Sequence, residues 1–163
     1  MVFSGLFAAI LPVCAWLAVP VGDMVLTMQT FGVFMALSLL GGKWGTVSIL
    51  CYLLLGAVGL PVFSGFQGGF GVLLGVSGGF LWGFLLSGLS YWMLERLGKP
   101  FAMVASMLLC YACGCGWFVR YTGGAGLAAV VIKCVVPYLI PDALKIWLAI
   151  SISNRIGKHI HNV

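Results

Sequence analysis

Apolar runs follow one another from Val2 to Ile156 in this chain, and only one clearly polar turn, Glu95-Arg96-Leu97-Gly98-Lys99-Pro100, interrupts them near the middle. A water-soluble domain hides only its core and presents a polar remainder to solvent. With 63% of the residues hydrophobic and 7% charged, and a mean hydropathy of +1.19, no such remainder exists here. The chain reads as an all-α integral membrane protein with one transmembrane domain over residues 1–163. At roughly 20 to 25 residues per span and connection, about six transmembrane helices fit. Met1-Val2-Phe3 has no charged n-region, so a cleaved signal is not expected and Met1 is taken as part of the mature protein. The net charge of +5 does not indicate nucleic acid, because the eight Lys and Arg residues are scattered and make no basic face.

The stretch from Gly59 to Gly83 stands apart from the other apolar runs. It is rich in glycine and carries Pro61, Ser64, Gln67 and Ser77, too irregular for an ordinary span. Irregular backbone cannot face lipid and must be buried in protein or line a cavity, which makes this stretch the first candidate for a ligand site. Gly71, Gly75, Gly79 and Gly83, continued by Ser87, form one small-residue groove if the whole stretch is helical. Gly78-Gly79 instead breaks the helix if it ends one, and the expected arrangement is irregular chain to about Gly78, then a span to Leu94.

Around that stretch the expected spans are Val2 to Val21, Val25 to Leu40, Thr46 to Leu60, Gly78 to Leu94, Phe101 to Tyr121 and Asp142 to Ile156. Pro20 ends the first, and Gly41 to Gly45 is a turn closing the second. Leu127 to Val136 is too short to cross a ~30 Å hydrocarbon core and reads as an interfacial or re-entrant helix; Pro137 to Pro141 then interrupts the chain. Ala8, Ala9, Pro12 and Ala15 give the first helix a close-approach face, used either for packing within the chain or for docking a partner.

Lys43, Arg96, Lys99, Arg155 and Lys158 fall on one side of a six-span arrangement and Arg120 on the other, which places both termini in the cytoplasm. The glycine-rich stretch and the Pro137–Asp142 break then meet at the outward face. Charges within membrane segments are costly and mark functional sites. Asp142 and Lys145, three residues apart, share a helix face, and Pro141 suits the first turn of a helix, where its dipole favours a carboxylate. The pair presents acceptor and donor to a small polar ligand with both N–H and C=O groups, or it is an ion pair that holds the helix end. Cys110, Cys113 and Cys115 lie in apolar runs without a nearby His and read as small hydrophobes, with no metal site. His159 and His161 belong to a solvated tail, and Lys133 reaches the outer interface or lines the cavity.

Several segments together are similar to one family. They are Leu6-Phe7-Ala8-Ala9 with Pro20, Leu26-Thr27-Met28-Gln29-Thr30, Tyr52 to Phe63, Gly68 to Gly75 followed by Gly78-Gly79-Phe80, and Pro137-Tyr138 with Asp142 and Lys145. In this order they resemble BioY, the biotin-binding S component of energy-coupling factor (ECF) transporters, over nearly the entire chain. The resemblance implies a six-helix vitamin-binding subunit of the bacterial cytoplasmic membrane, capped on its outward side by the loop after the third helix. It implies that Asp142 accepts from the ureido N–H groups and that Lys145 donates to the ureido oxygen or to Asp142. Tyr52, Phe66, Phe70, Phe80 and Tyr138 are expected as walls. Ser64, Gln67 and the loop backbone, with Gly68, Gly69 and Gly79, are expected to serve the remaining polar atoms. The chain departs from the family pattern at Val76-Ser77, Phe80, Ile140-Pro141 and Pro12.

The expected function is substrate capture without catalysis and without a cofactor. No phosphate loop is present, so the resemblance calls for a transmembrane coupling subunit, docked on the Ala8, Ala9, Pro12 and Ala15 face, and two separate ATPase subunits, with lipid around the bundle. A self-sufficient, proton-coupled carrier and a purely structural membrane subunit are the alternatives. The first is separated by dependence of uptake on a pH gradient, the second by the absence of any ligand.

Overall fold

The computed structural model describes residues 2–21, 24–123 and 126–160, without the side chains of residues 20, 21, 24, 25, 127, 133 and 157–160. The readings made for Gly22, Asp23, Gly124 and His161, and for the side chains of Lys133, Lys158 and His159, lie outside these described residues. Helix α1 (Val2–Trp16) leads into a two-stranded antiparallel hairpin, β1 (Ala18–Val21) and β2 (Met24–Thr27), paired from Ala18 with Thr27 to Val21 with Met24. The expected first span therefore ends five residues early, and the fold is not purely helical. The residue before a proline is pushed towards extended backbone and Pro20 offers no N–H, so the chain leaves the helix before Pro20 instead of at it.

Helix α2 (Gln29–Ala57) is assigned as one element, yet Gly41 within it has φ +77° and ψ 170°. Gln29 and Tyr52, 23 residues apart, are hydrogen-bonded at 2.8 Å, whereas a straight helix would separate them by about 35 Å. A Cβ on Gly45 would lie 2.9 Å from the Leu37 Cα. Both facts require the chain to double back at Gly41, so α2 is a tight helical hairpin with arms 29–40 and 42–57. The expected Gly41–Gly45 turn contracts to one residue, because a glycine at positive φ reverses the chain alone. Glu95 accepts the freed Gly42 N–H at 2.7 Å and so caps the second arm from the neighbouring polar turn.

The glycine-rich segment follows as a 3-10 turn, Ser64–Phe66, and a short helix α3 (Phe70–Leu74). Helix α4 (Gly78–Leu94) starts where the sequence placed it, and α5 (Lys99–Tyr121) packs along it. Gly75 is extended, with φ −77° and ψ −169°, so the four glycines do not form one groove. Gly79 and Gly83 close the α4–α5 contact against Trp117 and Cys110, while Gly71 faces open space.

Helix α6 (Leu127–Cys134) is the expected short helix, and α7 (Val136–Ile160) begins two residues later. The predicted break at Pro137 to Pro141 does not occur. Pro137 occupies the first turn, where helix N–H groups lack partners anyway, and Pro141 removes a single intrahelical bond from a helix supported by α2 and α6. A core from Leu11 to Ala149 joins the helices. Outside it lies a broad apolar exterior, Leu6, Leu54, Leu86, Leu108 and Trp147 among its exposed members. Helices α5 and α7 are each long and apolar enough to cross a membrane as a single element, and α2 is apolar along its length.

Candidate functional site

Asp142 and Lys145 lie in the second and third turns of α7 and are almost wholly buried, 1% and 5% exposed. The Lys145 Nζ donates to Asp142 Oδ1 at 2.8 Å, to the Thr30 hydroxyl at 2.9 Å and to the Thr27 carbonyl at 2.8 Å. An ammonium has three N–H donors, so each has a partner within the chain. The carboxylate accepts in turn from Thr30 Oγ1 on Oδ1 at 3.0 Å and from the Tyr111 hydroxyl on Oδ2 at 2.6 Å. Its oxygens thus take three bonds, leaving Oδ2 the less occupied.

The dipole support inferred for Asp142 comes from another helix than expected. The carboxylate does not cap α7 but meets Thr30 in the first turn of α2, where the partial positive charge of a helix N-terminus stabilises an anion. Lys145 binds the end of β2 through the Thr27 carbonyl. One buried ammonium therefore ties α7 to the β-hairpin and to α2.

These groups form part of the wall of a cavity of about 590 Å³, within the range of sites for small organic ligands. Its other walls are apolar and aromatic, with Phe63, Phe80, Leu81, Phe84, Phe118 and Tyr138. Ser64, Gln67 and Ser77 contribute neutral polar groups from the glycine-rich segment. Of the residues expected at the site, Asp142, Lys145, Ser64, Gln67, Phe80 and Tyr138 are gathered here.

Tyr52, Phe66, Phe70, Gly68, Gly69 and Gly79 are not on the cavity wall. Tyr52 is fully buried one layer behind, accepting from Gln29 and donating to the Val62 carbonyl at 3.2 Å, with its ring edge-on to Phe63. Phe66 lies outside, stacked on Trp16 at 5.0 Å, and Phe70 is largely exposed. Gly68 passes under the Leu60 carbonyl, Gly69 donates its N–H to Gly56, and Gly79 is filled by Trp117. On α1, Ala8, Pro12 and Ala15 are buried within the chain and only Ala9 stays exposed; three of the four residues offered as a docking face are therefore packing residues, because the helix turns that side towards α2.

Tyr111, Thr27, Thr30 and Gln29 were missed as site residues, as were Cys110 and Cys134, which also line the cavity. Thr27, Gln29 and Thr30 carried a signal, being polar residues at the mouth of an apolar run. Tyr111 carried none, since 31 residues separate it from Asp142.

Three tryptophans hold the glycine-rich segment, part of which lines the cavity. Their indole N–H groups donate to backbone carbonyls: Trp16 of α1 to Pro61 at 2.9 Å, Trp82 of α4 to Leu73 at 3.2 Å and Trp117 of α5 to Gly75 at 3.0 Å. Phe63 N–H to Gln67 carbonyl, at 2.9 Å, closes the loop on itself. Irregular backbone of this kind exposes carbonyls with no regular partner, and the indoles supply one each.

A helical membrane bundle with one half-enclosed apolar cavity and a hydrogen-bonded polar floor has the architecture of a small-molecule-binding membrane protein. The chain belongs to the BioY family, whose model matches residues 1–162. It is 36% identical to the biotin transporter BioY of Thermotoga maritima, over 97% of this chain and 95% of that one. It is 34% identical to the probable biotin transporter BioY of Pyrococcus horikoshii, over 93% and 91%. The fold is similar to the crystal structure of the S component for biotin from an ECF-type ABC transporter, with a TM-score of 0.87 and 26% identity over 96% of this chain and 89% of that one.

Proposed function

We propose that the protein captures biotin at the outer face of the bacterial cytoplasmic membrane and delivers it as the substrate-binding subunit of an ATP-driven ECF transporter. The observation that carries this reading is the buried Asp142–Tyr111–Thr30–Lys145 array in the floor of an otherwise apolar cavity, in a chain of the BioY family. A fused bicycle with a cyclic urea has an apolar body and one polar edge, and the cavity is complementary in both respects. In this pose the ureido N–H groups donate to Asp142 Oδ2 and to the Tyr111 hydroxyl oxygen, which retains lone pairs after donating to the carboxylate. Lys145, whose N–H groups are all engaged, positions the carboxylate and does not itself contact the urea. The aromatic walls enclose the rest of the bicycle.

Six membrane crossings follow in this reading from α1, the two arms of α2, α4, α5 and α7, with both termini and the Lys43, Arg96, Lys99 and Arg155 end in the cytoplasm. A transmembrane coupling subunit then approaches α1 on its exposed side, which carries Ala9, and two ATPase subunits complete the transporter. Uptake proceeds by reorientation of the loaded subunit in the lipid.

The test is calorimetric titration of biotin into the detergent-purified protein, beside Asp142→Ala and Tyr111→Phe. Tight binding by the native chain, weakened by at least ~1.5 kcal/mol in each variant, is the expected result. Absence of heat together with absence of competition by biotin refutes the reading.

A further inference from the structure

Gln29, the first residue of α2, is 5% exposed and lines the cavity. Its carboxamide is oriented from behind. The Tyr52 hydroxyl, in the layer beneath the wall, gives its one hydrogen to the Val62 carbonyl at 3.2 Å, and a carbonyl can only accept. Towards Gln29 the phenol oxygen must therefore be the acceptor, which puts the carboxamide nitrogen and not its oxygen at the 2.8 Å contact. One Nε2 hydrogen is used there. The second hydrogen and Oε1 have no partner among the described residues. Among those residues Ser38 Oγ is the only buried side-chain polar atom without a partner, so the unused edge of Gln29 is not sealed, and the space it lines is the cavity.

We propose that Gln29 is a specificity-determining residue for the ligand head, its free Nε2 hydrogen donating to the ureido oxygen, and that Tyr52 is the positioning residue that presents it. The proposal rests on the reading that the ureido head lies against Asp142. Thr30, next in the chain to Gln29, donates to Asp142 Oδ1 at 3.0 Å, so both residues belong to the same floor. A urea whose N–H groups face the carboxylate and the phenol keeps a carbonyl oxygen that can only accept. The Gln29 carboxamide keeps a hydrogen suited to it. Held by a wholly buried tyrosine, whose ring is edge-on to the wall residue Phe63 at 5.5 Å, the carboxamide loses little freedom when a ligand arrives. A neutral donor of fixed direction favours a strong acceptor, the urea oxygen, over a weak one.

Biotin and its thiourea analogue, in which sulfur replaces the ureido oxygen and accepts hydrogen bonds more weakly, would each be titrated into native protein, Gln29→Met and Tyr52→Phe. Thermal unfolding of each variant shows that it is folded. The native chain should prefer biotin by about fivefold or more. Gln29→Met should weaken biotin about tenfold and the analogue less than about threefold, so that the preference shrinks. Tyr52→Phe keeps the ring, frees the carboxamide to turn and should shrink the same preference; its effect should largely vanish when it is combined with Gln29→Met. Equal binding of biotin and the analogue by the native chain overturns the proposal without recourse to a variant and leaves the transport reading standing. A preference intact in Gln29→Met, or in Tyr52→Phe if Gln29→Met does not fold, overturns it too. A Tyr52→Phe effect that persists in full beside Gln29→Met assigns Tyr52 to the packing of Phe63 and overturns its positioning role. Failure of biotin itself to bind the native chain overturns both readings.

Discussion

The Tyr111 hydroxyl stands 2.6 Å from Asp142 Oδ2, on the opposite carboxylate oxygen from the one that Lys145 holds at 2.8 Å. The two bonds divide the carboxylate into an occupied oxygen facing the chain's own cation and a less occupied one beside a cavity-lining phenol. Replacing Tyr111 by Phe removes the hydroxyl and keeps the ring on the wall. Biotin affinity should fall about tenfold, near the loss of one hydrogen bond, and the fold should lose about 1.5 to 3 kcal/mol, the worth of the internal hydrogen bond to the charged Asp142. Calorimetry and thermal unfolding in detergent report the two quantities separately, and an unaltered affinity removes Tyr111 from recognition.

Lys145 has no free donor, which gives it a structural signature. Lys145→Met strands a buried carboxylate and should destabilise the protein by roughly 3 kcal/mol or more. Adding Asp142→Asn removes the stranded charge and should recover a substantial part of that loss while biotin affinity stays below that of the native chain. A double variant as unstable as the single one contradicts the internal-pair assignment.

Trp117 and Trp82 hold the glycine-rich segment by single indole bonds to Gly75 and Leu73. Each such bond is worth about 1 kcal/mol. Trp117→Phe and Trp82→Phe should therefore raise amide exchange in residues 70–78 about fivefold each and speed ligand release. Exchange indistinguishable from the native protein shows that side-chain packing alone retains the segment.

At the far end of the bundle, the Glu95 carboxylate caps the Gly42 N–H and Gly41 reverses the chain. Glu95→Ala should cost about 1 kcal/mol, as loss of an N-cap does. Gly41→Ala, forced to positive φ, should cost at least ~1 kcal/mol. Neither change should alter biotin affinity, because both lie away from the cavity wall, and a large affinity loss would tie this turn to the site.

Much of this arrangement was legible in the sequence because membrane chemistry leaves few choices. The start of α4 at Gly78, the short α6 and the buried Asp142–Lys145 pair followed from glycine content, length and the cost of intramembrane charge. What stayed hidden depends on contacts distant in sequence. The β-hairpin looked like the end of a helix because Ala18-Val19-Pro20-Val21 is as apolar as a span. Proline also misled at Pro137 and Pro141, where the local tendency to break a helix is outweighed by tertiary support along α7. Phe66 and Phe70 look like wall residues on composition alone. Phe66 has φ +57°, rare for a bulky residue, and its turn places the ring outside on Trp16.

The pairing of Asp142 with Lys145 also has an electrical consequence. A lone carboxylate moved through the membrane field would feel about 2.3 kcal/mol for every 100 mV. Opposite charges held 2.8 Å apart on one helix travel together and cancel, so their contribution to any turning of the empty bundle is nearly independent of voltage. In a transport cycle of the proposed kind, the ligand's own carboxylate is then the charge that the filled cavity adds, and membrane potential acts on the loaded form in a way that it does not act on the empty one.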